Sequence, residues 1–376
     1  MSSKNKIPVF PNLFRTSTIC NLYKSIEYFN LKVSNAIVNK DFKTNKNTIY
    51  SHRLVPEYFK LNLRDTSFKT KIIPECNWGY SILLNPSDSI DGFMQRQFNS
   101  KKRNIFTRYV NRLETCFDVE YRMFYGNISE TDYNFIMQSL YNMIVARFKE
   151  RNELHKNLHE WDYLLENTFS GIINKKASLF VIYNKDEPIE ISLNYHFDKV
   201  LFSYLSSYNI DYSKFGLGHI EIYKQTEWCA INGYILFEMG VGGMDYKRRW
   251  SNNIYRYNHY VVYNKQSFKL RLLITKIQLK EYLKSKKVNE VYPKIKAFFK
   301  KEDIQQNSIF ISKITPISLL KTNDYEKIED NSHLKKHINN FLYTTKNHIN
   351  DICIYKNEHY YIIKGKEEFQ KIKFNQ

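Results

Sequence analysis

The sequence predicts an α+β fold built on a mixed sheet, and three observations lead to that class. Between residues 117 and 263 the apolar periodicity switches between helical and strand spacing. The order that results is strand, two helices, an antiparallel three-strand meander, helix, strand, short loop and strand, without the strict alternation of a doubly wound parallel sheet. The glycines of GVGG, residues 240–243, follow a strand but do not open a spaced GxGxxG, so the dinucleotide-binding fingerprint is absent.

Residues 1–93 carry short strand-like runs at 71–73 and 80–84, punctuated by Pro8, Pro11, Pro56, Pro74 and Pro86, and read as an N-terminal α/β extension packed on the rest of the chain. Residues 94–113 read as one basic amphipathic helix, with Phe98, Phe106, Tyr109, Val110 and Leu113 on its apolar stripe and Arg96, Arg103, Arg108 and Arg112 mostly off it. A strand over 117–124 precedes helices over 130–151 and 157–167. Strands at 179–183, 188–197 and 200–208 form the meander, with turns at 184–187 and 198–199. A helix opens at Gly216 to Gly218 and runs to Asn232, where Gly233 stops it. Strands over 234–239 and 254–263 close a core unit of residues 94–263.

Residues 264–307 form a basic helical linker: from 265 to 303, twelve Lys and Arg stand against four Asp and Glu, with leucines at helical intervals. That pattern fits a packed helix pair with a basic exterior, or a segment in peripheral contact with an anionic membrane surface or nucleic acid. Residues 308–376 read as a small α+β domain with a strand at 309–314, a turn at Pro316, a helix at 332–343 and a hairpin at 352–363.

Composition narrows the function classes. A net charge of +19 directs attention to anionic partners, whether nucleotides, nucleic acid or a membrane face, although a Lys-rich solvated surface gives the same number. With 30 Tyr and 26 Phe the chain buries a core, and with 11 Gly and 8 Pro it is neither collagenous nor low-complexity. No uninterrupted apolar run is long enough for a transmembrane segment, and the first residues lack a secretory signal, so a soluble cytoplasmic protein is expected. Five scattered cysteines without a CxxC pair fit neither a disulfide framework nor a zinc ribbon. His155/His159 and His333/His337 have ligand-like spacing but no HExxH or acidic partner set; solvated helix faces explain them, and no metal is expected.

The segment with most chemical content is DYSKFGLGH, residues 211–219, between a strand and a helix. Gly216 and Gly218 permit close backbone approach, and the unpaired amides of the following helical turn favour an anion, with Lys214 adding charge.

SKFGLG resembles the GNAT acyl-CoA-binding pattern Arg/Gln-x-x-Gly-x-Gly/Ala, with Ser213 in the first place. The basic helix KKRNIFTRYVNRLE, the meander ending SSYNIDYSKFGLG, the step EWCAINGY and the closing FEMGVGGMDYKRRW make residues 94–263 similar to CelD-type acetyltransferases, relatives of the FemAB ligases. The resemblance implies a GNAT acyl-CoA N-acyltransferase fold, with residues 1–93 as a partial GNAT-like half. It also implies acetyl-CoA or another acyl-CoA between the 200–208 and 234–239 strands, its pyrophosphate on Lys214, Phe215, Gly216, Leu217 and Gly218. A backbone N–H near Ser206 and Ser207 would hold the oxyanion. The acceptor would be an amine, with an amino sugar of surface-polysaccharide synthesis suggested, bound by Tyr208, Lys247 and Arg248. Candidates for the base are Glu238, Asp245, His196 and Glu190, the last standing where relatives carry a small residue, while Tyr246 or Tyr255 would protonate the leaving thiolate. Two alternatives stay open: a FemAB-like transferase using aminoacyl-tRNA, and a non-catalytic nucleic-acid-binding or scaffold protein. The layout ISKITPISLL … LKKHINNFL … ICIYKNEHYYIIKGKEEF resembles a ParB/sulfiredoxin-type domain, degenerate because Lys364 to Glu368 lacks the expected Arg.

Overall fold

The computed structural model describes residues 6–35, 48–151, 158–242, 245–286, 309–320, 325–329 and 332–374. Nine strands form one mixed sheet: β1 (Lys6–Pro8), β4 (Tyr50–Pro56), β6 (Lys69–Leu83), β7 (Val119–Phe124), β8 (Ala177–Asn184), β9 (Glu187–Phe197), β10 (Val200–Tyr208), β11 (Leu236–Val241) and β12 (Asn253–Tyr263). Their order across it is β1-β4-β12-β6-β11-β10-β9-β8-β7. Within it β1/β4 and β10/β11 pair parallel and the other neighbours antiparallel. The α+β class and the meander β8–β9–β10 are as the periodicity predicts.

The first 93 residues do not simply pack beside the rest. β4 and β6 enter the main sheet, and β6 lies between β12 and β11. Pro74 hides β6 from a pattern reading, yet it pairs with Asn258 beside a register irregularity against β12. Only β2 (Tyr23–Tyr28), β3 (Leu31–Ser34) and β5 (Phe59–Leu63) form a sheet of their own, beside α1 (Val9–Thr16).

The single basic helix expected over 94–113 is two helices, α2 (Ile90–Gln97) and α3 (Ser100–Cys116). The break has local causes: Phe98 is extended, and the Asn99 side chain accepts from the Lys102 amide to start α3 afresh. α4 (Glu130–Glu150) and α5 (Trp161–Ile173) come next, then α6 (Leu217–Ile231) between the parallel strands β10 and β11. A short helix that the sequence pattern does not announce, α7 (Asp245–Trp250), precedes β12. α8 (Phe268–Ser285) accounts for the first half of the basic linker; residues 287–308, like Gly243 and His155, lie outside the described residues.

The C-terminal sheet contains β13 (Ile309–Ile311), β14 (Thr315–Pro316), β15 (Glu326–Ile328), β16 (Cys353–Lys356), β17 (Tyr361–Lys364) and β18 (Glu368–Phe374). The hairpin β16/β17 stands where expected, but β18, absent from the sequence reading, joins β13, β14 and β17. α9 (Lys335–Thr345) covers this sheet. Its Ile338, Phe341 and Leu342, with Leu334 just before it, share one hydrophobic cluster with Leu113 of α3 and with Tyr212, Phe215 and Leu217 before and at the start of α6. The unit is therefore continuous with the main core. Of the pair expected on a solvated face, His333 is exposed and His337 half-buried, and both rings lie near that of Phe374. Among the described residues no helix is long and apolar enough to cross a membrane, and no three His, Cys, Asp or Glu cluster as a metal site would require.

Candidate active site

β10 and β11 pair only through Val200, Leu201 and Phe202 with Leu236, Phe237 and Glu238. Past those residues β10 bulges between Ser203 and Leu205, and the two parallel strands part. The opening holds a cavity of about 200 Å³ lined by Ser203, Leu205, Ser206, Phe237, Met239 and Lys247, among others. A second space of about 170 Å³ continues to the start of α6, along Glu190, Tyr208, Ser213, Gly216, Leu217 and Gly218. Arg147, Ser206, Glu221 and Tyr246 border both, so the two are halves of one cleft.

The helix-side half depends on one backbone angle. After β10 the chain makes a 3-10 turn, Ile210–Phe215, begun by the Asn209 side chain accepting from the Asp211 amide at 3.0 Å. Gly216 then takes φ +69°, the left-handed region, and a Cβ there would lie 2.8 Å from the Tyr109 ring. α6 begins without a side-chain cap, leaving its first amides to the cleft. The C-terminal unit holds this turn from behind: Asn339 donates to the Asp211 carbonyl at 3.1 Å, and Phe215 meets Tyr343 edge-on at 5.3 Å.

Two buried carboxylates face each other in the cleft. Glu190 is 1% exposed, Glu221 5%, and Glu190 Oε2 has no hydrogen-bond partner among the described residues. Burial raises both pKa values; the charge of Glu221 pushes Glu190 further up, well above the carboxylate range. Hydrogen bonds from Ser192 and Ser206, and the charges of Lys247 and Arg147, act against burial at Glu221. Gln225 also donates to Glu221, at 2.9 Å. Glu221 is thus the member whose surroundings favour the charged form, and Glu190 the one whose surroundings favour the proton.

The sequence-derived residues divide accordingly. Glu190, Ser206, Tyr208, Gly216, Leu217, Gly218, Tyr246 and Lys247 are brought together on the cleft. Lys247 is held by donation to the Met239 carbonyl at 2.5 Å, and burial lowers its pKa. Glu238 is wholly buried beside the fork with its pKa raised by burial to about 7, but it does not line the cleft: it accepts from Tyr58 at 2.8 Å and from the Gly240 amide at 2.7 Å. His196 lies away from it, both ring nitrogens engaged at 2.8 Å by Tyr234 and Ser178, and burial lowers its pKa to about 3. Asp245, Arg248 and Lys214 lie outside the cleft walls. Phe215 turns its ring into the core, Ser207 is buried with its hydroxyl unpartnered, and Tyr255 is buried against Tyr257.

Arg147 and Glu221 are the residues that sequence reasoning missed. Each is a charge on a buried helical stripe: Glu221 sits four residues after Leu217, and Arg147 three and four after Ile144 and Met143. Arg147 lies over the Tyr208 ring at 4.5 Å with its Nε unpartnered.

Residues 100–248 match the family model described as Acetyltransferase (GNAT) domain, less than half of the chain. That match spans α3 to α7 and so includes both halves of the cleft. Among solved structures, similarity is found to a conserved protein of unknown function from Bacteroides thetaiotaomicron (12% identity, 56% of this chain and 69% of that one, TM-score 0.40). L-PGS from Bacillus licheniformis is similar at 14% identity over 64% and 73% of the two chains, TM-score 0.39. FemX is similar at 9% identity over 60% and 74%, TM-score 0.42. No curated protein matches this sequence.

Proposed function

We propose that this protein transfers an acyl group from an acyl-CoA thioester to an amine, with Glu221 as the base. The observation that carries the reading is the single cleft joining the parted strands β10 and β11 to the uncapped start of α6. The helix start and Arg147 suit the diphosphate of the donor, and the fork suits its extended arm. Glu221 takes the proton from the acceptor ammonium, and the freed nitrogen attacks the thioester carbonyl. A β10 amide near Ser206 stabilises the oxyanion, and the Tyr246 phenol, kept protonated by burial, gives its proton to the leaving thiolate. The acceptor we propose is a small amine, an amino sugar on the strength of the CelD-type resemblance.

The +19 charge favours a second reading, in which the donor is an aminoacyl-tRNA. Thermal unfolding with acetyl-CoA, CoA and a charge-matched nucleotide at fixed salt separates them. Ligand at about 100 times its dissociation constant stabilises the fold by about 2.7 kcal/mol. A shift with the CoA species alone, together with amine-dependent thiol release, is expected. No shift with CoA, together with salt-sensitive binding of aminoacyl-tRNA, would replace the first reading with the second.

A further inference from the structure

α8 carries two apolar faces. Leu270 and Ile277 point inward, onto Ile73 of β6 and Val261 of β12. Phe268, Leu272, Leu279, Tyr282 and Leu283 are 43% to 76% exposed. At about 100° per residue these five fall within an arc of roughly 100°, opposite the buried stripe. Scattered exposed leucines are ordinary on a protein surface, but five large side chains aligned along one helix are a patch.

The charges around that stripe are one-sided. Lys269, Lys276 and Lys280 run along one border, Arg271 lies on the other, and all four are exposed. The one acid of α8, Glu281, is buried, accepts from the Cys76 amide at 2.8 Å and pairs with Lys284 at 2.9 Å. The outward face therefore presents hydrocarbon, the hydroxyl of exposed Thr275 and positive charge, and no acid. On one border Lys276 and Lys280 also line a cavity of about 130 Å³ between α8 and the sheet, with Arg53 of β4 and Glu281.

We propose that the outward face of α8 docks the protein on an anionic lipid surface, the five apolar side chains entering the headgroup boundary and the flanking cations meeting lipid phosphates. Charge complementarity selects the occupant, because a nucleic acid would leave the hydrocarbon stripe in water. Lysine and arginine stems extend along an apolar stripe while their heads reach the polar layer. This inference does not depend on the identity of the acyl donor.

The test is co-sedimentation of the full chain with vesicles of phosphatidylcholine alone or with roughly a third phosphatidylserine. Binding to the anionic vesicles only, weakened by salt, is expected. Leu272→Ser with Leu279→Ser should abolish it at low salt without changing the unfolding temperature, since both side chains face solvent. Lys276→Gln with Lys280→Gln should weaken binding by roughly 25-fold, about fivefold per cation. Failure to bind anionic vesicles would overturn the proposal. So would binding unaffected by the leucine pair, which would trace attraction to the net charge alone. A wild-type dimer that the leucine pair converts to monomer would reassign the face to a second copy of this chain.

Discussion

Gly216 allows the site's geometry to be tested without any ligand. Alanine there must hold the left-handed backbone, which costs about 1–2 kcal/mol for a residue with a Cβ. Its Cβ would also lie 2.8 Å from Cδ1 and Cε1 of Tyr109 and 3.3 Å from Cγ. That ring is stacked on His219 at 5.1 Å with 3° between the planes, and His219 accepts from Trp250 Nε1 at 3.0 Å, so displacing it disturbs a chain of contacts. Overpacking of this kind costs about 1–3 kcal/mol, and Gly216→Ala should destabilise the fold by roughly 2–5 kcal/mol in total. Urea unfolding of a four-member cycle with Tyr109→Ala separates the two parts. In the Tyr109→Ala background the glycine substitution should cost only the backbone part, about 1–2 kcal/mol. Equal costs in both backgrounds would show that the ring does not hold the turn closed, and the account of the helix-side half of the cleft would fall.

Gly218 should behave in the opposite way. A Cβ there meets nothing within 4 Å, so Gly218→Ala keeps or raises stability by up to about 1 kcal/mol while weakening donor binding, readable by comparing urea midpoints with acetyl-CoA titrations. Glu221→Gln should lower kcat by about 10²–10⁴ with donor binding intact. In the wild type kcat should rise with pH through a value of about 6, as the Glu221 carboxyl loses its proton; an unchanged kcat in the variant would remove Glu221 as the base. Glu238 gives a stability prediction. Its pKa is about 7 in the fold against the usual 4.5, so the folded state keeps a proton that the unfolded chain releases. Its contribution is complete below about pH 4.5 and is lost as pH rises through about 7, a change of roughly 3 kcal/mol. Unfolding measured at about pH 5 and about pH 8 should show that loss in the wild type and not in Glu238→Gln; parallel curves would refute it.

The meander, α4, α6 and the glycine turn were legible because each has a single period or a Gly signal in the chain. The merging of β4 and β6 into the main sheet was not, since a strand with Pro74, Lys69 and Lys71 shows no alternation until its partners β12 and β11 are known. In the site, Gly216 and Gly218 announced themselves, whereas Glu221 lay inside an ordinary helical stripe. Its exceptional property, burial opposite Glu190, exists only once β9 and α6 are packed together. His196 and Glu238 misled for the complementary reason: the phenols that occupy them come from Tyr234 and Tyr58, remote or unremarkable in sequence.

The prop that Asn339 and Tyr343 place behind the Gly216 turn has a consequence for the order of events during synthesis. Strands β7 to β11 can leave the ribosome and pair while the residues that brace the turn are still untranslated. Domains tend to form as they emerge, yet this turn cannot reach its final rigidity until α9 and β18 arrive. A nascent chain halted before residue 335 would own every group that lines the cleft and still lack the cradle's backing. Competence of the cleft is thus tied to the docking of a helix made after every residue that lines it.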